Sequence, residues 1–311
     1  FIEAIVITAS QHGFGVSVTY TEDIGPETEH LASLSFSMLS DSEQAKLDRP
    51  LYLALPDRRT DRRRYRKETP DSNVTRQLEE SIAYLGGRVV WMSDPVALKQ
   101  LSKAFSKHDD FFWTNDEGPR NDLVRFVHRS GSAVAPSSGM PSNTLGLGWK
   151  APLLPMTFRI AYSIPWLWKV IGWQSKYVSE DLMQHSGALA LIVLPKRQEK
   201  KVFESGYRFQ DDIKGGRNML RFWLSATSLG FSVQPTYALV AQMQNEGNAR
   251  EGEHFLRLNR EVVAELVSMV PELEQETLVF AFRIGRPLST EQVPSSPRKP
   301  LSDIIWSVEK Q

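Results

Sequence analysis

The stretch Ala226-Thr227-Ser228-Leu229-Gly230-Phe231-Ser232-Val233-Gln234-Pro235-Thr236-Tyr237 decides the fold, because it has a counterpart. Ala9-Ser10-Gln11-His12-Gly13-Phe14-Gly15-Val16-Ser17-Val18-Thr19-Tyr20 lines up with it at an offset of 217, with 6 of 12 positions identical. An apolar, helix-periodic run precedes each copy: Ile2 to Ile7 and Met219 to Leu224. Gly13 and Gly230 stand where those helices stop, since glycine takes the left-handed conformation of a helix end at little cost. Alternating strand patterns follow, Leu34, Phe36 and Met38 in one copy and Val279 to Ile284 in the other. Arg49-Pro50-Leu51 then matches Lys299-Pro300-Leu301 at an offset of 250, and the 33 extra residues fit an inserted helix, Glu253 to Met269. The unit of helix, glycine stop, strand, connection, strand and basic-Pro-Leu thus occurs twice. The chain opens at Phe1 in a helical pattern without an initiator Met, so we expect the front half of the first copy upstream.

Outward from the repeat, 311 residues suggest one large domain or two ordinary ones. With 41% hydrophobic and 24% charged residues, neither a disordered chain nor a coiled coil is expected. Basic and acidic residues balance at 37 each, which removes any global attraction to nucleic acid or an anionic membrane; neither is an expected partner. Cysteine is absent, excluding disulfides, a thiol nucleophile and Cys-ligated metals, and fitting a cytoplasmic location. The six histidines are scattered without ligand spacing, so no metal is expected. There is no G-x-S-x-G, Walker A or G-x-G-x-x-G, which weakens the hydrolase, nucleotide-triphosphatase and Rossmann readings.

The periodicity predicts a short helix from Leu51 entering a basic run that reaches Lys67, and helices over 72–85, 95–107 and 121–128. Arg88 to Met92 reads as a strand and Ala188 to Leu194 as a buried one. Residues 130–157 read as loop. A polar helix with Phe203 and Tyr207 is expected, broken by Lys214-Gly215-Gly216 before a helix from Asn218 to Leu229. Such a mixture points to helices covering both faces of a sheet.

Several segments admit a functional and a plain reading. The run Arg58-Arg59-Thr60-Asp61-Arg62-Arg63 is either a solvated surface or a phosphate site, with Arg58, Thr60 and Arg62 converging around a helix end. Gly215-Gly216 is either a turn or an anion-binding helix start. Pro136-Ser137-Ser138-Gly139 is either loop or ligand loop. The Trp-rich stretch Ile164 to Trp173 fits core, a lid or a membrane-surface helix. Pro152, Pro155 and Pro165 interrupt its stripe, so we expect a lid over 158–185 with Trp166 and Trp168 largely buried.

Together these residues resemble the nitroreductase superfamily of FMN-binding proteins. Arg58-Arg59-Thr60-Asp61-Arg62 looks like the family's opening R-R-S-x-R, with Thr60 in place of Ser. Trp223 to Pro235 resembles the helix and strand that run beneath the isoalloxazine. Phe282-Arg283-Ile284-Gly285-Arg286-Pro287 with Pro297-Arg298-Lys299-Pro300-Leu301 resembles the closing strand and phosphate-binding basic residue. The resemblance implies an α+β sandwich, with a mainly antiparallel central sheet covered by helices and two pseudo-repeats in one chain. It implies FMN held by Arg58, Arg59, Thr60, Arg62, Gln234, Pro235, Thr236 and Arg298, with no side chain needed as catalytic acid or base. The closer likeness is to a two-copy branch that includes dormancy-linked mycobacterial proteins and domains fused to a ThiF-like adenylating domain. It assigns residues 1–50 to the back of a first repeat, and residues 51–311 to a second repeat with insertions near 140–185 and 240–270.

The activity implied is an FMN-dependent oxidoreductase passing hydride from NAD(P)H to an unknown oxidised acceptor. The alternatives are a non-catalytic flavin-storage or interaction domain partnering an adenylating enzyme in the same polypeptide, and an azoline or peptide oxidase. The implied assembly is a monomer with an internal pseudo-dimer, or a homodimer. Two departures stand out: Pro235 is followed by Thr236-Tyr237 where the family has Pro-x-Gly, and Ala135 to Gly139 only partly matches the family's A-P-S-S loop, whose true counterpart is expected upstream of Phe1.

Overall fold

The computed structural model describes residues 1–21, 31–39, 43–115, 117–128, 139–196, 209–244 and 253–294. The expected helix with Phe203 and Tyr207, the basic-Pro-Leu match at 299–301 and the site residue Arg298 lie outside them, as do residues 136–138 of the expected ligand loop. In chain order the elements are α1 (Ile2–Gln11), β1 (Phe14–Tyr20), β2 (Ala32–Met38), α2 (Glu43–Ala54), α3 (Ser72–Ala83), β3 (Arg88–Met92), α4 (Pro95–Asn115), α5 (Glu117–Phe126) and β4 (Val127–His128). There follow β5 (Met140–Pro141), α6 (Leu154–Ser163), α7 (Leu167–Gln184), β6 (Ala188–Pro195), α8 (Phe209–Ser228), β7 (Ser232–Pro235), α9 (Tyr237–Gln244), α10 (Glu253–Met269) and β8 (Glu276–Gly285).

The fold is α+β. The main sheet has the order β3-β6-β8-β7, with every neighbouring pair antiparallel. Its strands are apolar on both faces because both faces are covered. On β6, Ala188, Ala190, Ile192 and Leu194 join one core with α3 and α8 residues such as Leu78 and Phe222. Leu189, Leu191 and Val193 join the opposite core with α4, α9 and α10 residues such as Leu101, Leu239 and Leu266. The strand period of two thus feeds two cores from one element. α4 and α7 run antiparallel, tied by Gln184 to Ser102 (3.1 Å), Ser106 to Glu180 (2.7 Å) and Trp113 to Ser175 (2.9 Å).

α1 and α2 pack on α8 through Ile7, Leu51, Ala54, Leu220 and Leu224. Beside them β1 and β2 form a separate antiparallel pair. The expected glycine stops are present: Gly13 has φ +81° and Gly230 has φ +75°. After each, a strand pairs antiparallel with a later strand, Val16 opposite Phe36 and Val233 opposite Ile284.

Gly215-Gly216 breaks nothing: both lie inside α8, so no helix starts at Asn218 and the anion reading of that start fails. The reason is packing. A Cβ on Gly215 would sit 2.8 Å from Cβ of Val279, so the glycine permits the close approach of α8 to β8. α2 begins before Leu51 and ends at Ala54, which leaves the basic run outside any helix. α4 runs on to Asn115, and the helix expected over 121–128 is α5, its last two residues passing into β4. The described part of 130–157 contains 3₁₀ turns at Ser142–Leu145 and Gly148–Leu153.

Candidate functional site

The basic run and β7 meet along one seam. Backbone N–H groups of Asp57 and Arg58 close on the Ala54 carbonyl (3.1 and 3.0 Å), ending α2 and turning the chain toward the sheet. Thr60 then bridges Val233 in parallel, and Asp61 N–H donates to the Val233 carbonyl (3.1 Å). Residues far apart in sequence, the opening motif and the Gln234-Pro235-Thr236 end of β7, are thereby brought side by side.

Asp61 holds the seam. Its carboxylate is buried and accepts two bonds from the Arg63 guanidinium (both 2.9 Å), one from Arg63 N–H (3.0 Å) and one from the Ser232 hydroxyl (2.8 Å). Burial pushes its pKa up, but the bonds from Arg63 and Ser232 outweigh it and hold the group below the ordinary aspartate value. Arg283 of β8 is the second anchor, 2% exposed. It donates to the Gln234 side-chain oxygen, to the carbonyls of Asp61 (3.3 Å) and Arg63 (2.7 Å), and to the Leu182 carbonyl of α7 (3.3 Å). Its guanidinium lies 4.1 Å from the centre of the Tyr65 ring. Every hydrogen-bond partner is a neutral oxygen, and burial lowers its pKa.

Arg62 donates to the Thr144 carbonyl (3.1 Å) and makes no ion pair among the described residues. Burial first, and then the nearby Arg283 charge, lower its pKa, with Tyr65 opposing. Arg62 is thus a partly desolvated cation without a counter-ion among the described residues. Arg58 places its guanidinium 4.5 Å from the Trp223 ring centre on α8. Arg59 donates to the Val293 carbonyl (2.7 Å), while its Nε is buried with no partner. Thr236 N–H donates to the Ala281 carbonyl (2.9 Å), yet its hydroxyl is buried and unpartnered. Pro235 pairs with Phe282 in the ladder.

Seven of the eight expected site residues therefore flank one seam, and Arg298 lies outside the described residues. The open groups at the seam are donors: the Arg62 guanidinium, Arg59 Nε and the Thr236 hydroxyl. The Asp61 carboxylate is already saturated by Arg63 and Ser232. Such a donor set suits an anionic ligand with polar acceptor edges, so it fits a phosphate-bearing cofactor such as FMN. No cluster of potential metal ligands occurs among the described residues.

The sequence reading missed Asp61, Arg283 and Thr144. The first was visible as an acid inside a basic run, and the second as a lone charge inside the apolar strand Val279 to Ile284. Thr144 carried no signal. The aromatic segment also departs from expectation. It folds as α6 and α7; Trp168 is buried against Phe158 and Trp113 in a satellite core, but Trp166 is 63% exposed. At that exposure Trp166, just after Pro165, does not form the inner wall of a lid.

No protein-family model and no curated protein matches the chain. Solved structures do. A nitroreductase with bound FMN from Bacteroides fragilis is 13% identical over 83% of this chain and 98% of that one, with a TM-score of 0.45. A BluB-like flavoprotein from Clostridium difficile is 12% identical over 83% and 98%, with a TM-score of 0.44. The FMN-dependent nitroreductase NfnB from Mycobacterium smegmatis, in complex with NADPH, is 15% identical over 85% and 99%, with a TM-score of 0.41.

Proposed function

We propose that this chain is a nitroreductase-like, FMN-dependent oxidoreductase using NAD(P)H. The observation that carries the reading is the Thr60–Val233 bridge, which sets the R-R-T-x-R motif beside the Gln234-Pro235-Thr236 strand end. The uncompensated charge of Arg62 and the orphaned Thr236 hydroxyl support it. Arg62 would hold the phosphate, with Arg58, Arg59 and Thr60 beside it, and Gln234, Pro235 and Thr236 would line the flavin's polar edge. The redox chemistry is that of FMN itself, carrying hydride equivalents from the nicotinamide to an oxidised acceptor. The protein's task is to bind and orient: Asp61 and Arg283 fix the backbone on which these donors sit.

More finely, we infer the two-copy organisation, residues 1–50 closing a first repeat and 51–311 forming a second. A ThiF-like adenylating domain in the same polypeptide and a cytoplasmic location are the partner and place that this branch implies. The test is equilibrium titration of the apoprotein with FMN, followed by flavin fluorescence, in the parent and in Thr236→Val. The reading expects saturable binding that the substitution weakens several-fold, since a hydroxyl hydrogen bond is worth about 1 kcal/mol. No saturable binding in the parent overturns it.

A further inference from the structure

We propose that the outer face of α6 and α7 docks this protein on an anionic lipid surface. Of the large apolar side chains exposed among the described residues, half fall between Trp149 and Val178. They form stripes rather than scatter. On α7, Trp166, Val170, Trp173 and Tyr177 recur at the spacing of one helix face, and the last two rings pack edge to face with centroids 4.9 Å apart. On α6, Met156 and Ile160 are exposed as well. The opposite faces carry Phe158, Ala161 and Trp168, which are buried in the satellite core. The exposed stripe is therefore surplus to the packing of these helices. A soluble surface rarely leaves a patch of this kind uncovered.

Charge selects the occupant. From Gly146 to Ser179 there is no Asp or Glu, while Lys150, Arg159, Lys169 and Lys176 add four positive charges. None of the four takes part in an ion pair among the described residues. The acids that follow are already engaged: Glu180 accepts from Ser106, and Asp181 pairs with Arg64. The chain as a whole is neutral, so the remainder carries four net negative charges. Exposed Trp and Tyr bordered by Lys and Arg on a helix lying in the plane is the pattern of an interfacial anchor. No helix among the described residues is long and apolar enough to cross a membrane, so the contact is with the surface. Pro155 sits in the first turn of α6 and Pro165 between α6 and α7, so these prolines mark helix starts instead of breaking up one long helix.

The experiment is co-flotation of the full chain with vesicles of phosphatidylcholine, and of phosphatidylcholine containing about one third phosphatidylglycerol. The expected result is at least tenfold stronger partitioning to the anionic vesicles, lost in high salt, with a blue shift of Trp emission. Trp166→Ser with Trp173→Ser, and separately Lys169→Glu with Lys176→Glu, should each weaken binding tenfold or more; all four positions lie away from the cores, and an unchanged melting temperature confirms the fold. No flotation with either vesicle, or equal flotation with both, overturns the proposal. So does a dimer in sedimentation velocity that Trp166→Ser dissociates, which would make this face a contact between copies.

Discussion

At the scale of single residues, two positions on the seam make separable predictions. Arg62 makes no ion pair among the described residues, so removing it leaves the fold intact and the ligand short of a charge-assisted bond worth about 1.5–3 kcal/mol. Arg62→Ala should weaken FMN binding by about tenfold or more, measured by fluorescence titration, with little change in melting temperature. Asp61 is the reverse case: it touches no ligand but holds Arg63 and Ser232. Its folded pKa lies below its unfolded one, so its contribution to stability is full above the ordinary aspartate value near 3.8 and fades as pH falls through the lowered value. Asp61→Asn should melt lower than the parent at neutral pH, and the gap should close as the pH drops from about 5 toward about 2. A gap that stays constant across that range contradicts the assigned role. The motif residues were legible because hydroxyl and guanidinium groups at alternate positions advertise anion chemistry. What the one-dimensional pattern could not supply was the strand that Thr60 lies against, because a parallel bridge across such a separation leaves no local trace.

At the scale of elements, the two segments matched in sequence pack differently. The counterparts of Ile5, Ala9 and Phe14 at the offset of 217 are Phe222, Ala226 and Phe231, and the ladder register makes Phe36 the counterpart of Ile284. All four second-copy residues are in the main core. The first-copy residues instead line an open apolar groove of about 580 Å³ on α1, β1 and β2. Ile284→Lys should therefore unfold the chain, since an unpaired charge would be buried. Phe36→Lys should cost about 1 kcal/mol or less. Equal loss from both in urea denaturation contradicts the assignment. α1 is fastened to α8 by a buried network in which Glu3 pairs with Arg217 (2.6 Å) and with Arg221, which also pairs with Asp48 of α2 (2.7 Å). Burial lowers the Arg217 pKa, but the Glu3 charge and the hydrogen bonds to Glu3 and Tyr20 together raise it above the ordinary arginine value. Glu3→Ala leaves the buried Arg217 without an ion pair among the described residues and Arg221 with Asp48 alone, and should cost about 3–5 kcal/mol.

The helix, glycine stop and strand were legible because a left-handed cap and a change of period both act locally. The Gly215-Gly216 pair misled, because a glycine that admits a neighbouring strand looks in sequence like one that ends a helix. Likewise the Trp-rich segment showed its helical spacing but not which of its faces would be covered.

At the scale of the molecule, a two-faced antiparallel sheet carries the candidate site at its β7 edge, where the basic segment after α2 is laid against it. In the function we propose, this seam binds a flavin and lets it exchange electrons with a nicotinamide. The most direct measurement is the visible absorption spectrum of the purified full-length protein, recorded after loading with FMN and gel filtration and then on addition of NADPH under argon. The account predicts a retained flavin band that bleaches with NADPH and returns when air is admitted, and an Arg62→Ala protein that emerges from the column nearly colourless. A parent protein that emerges colourless, or a retained band that NADPH leaves untouched, would contradict it.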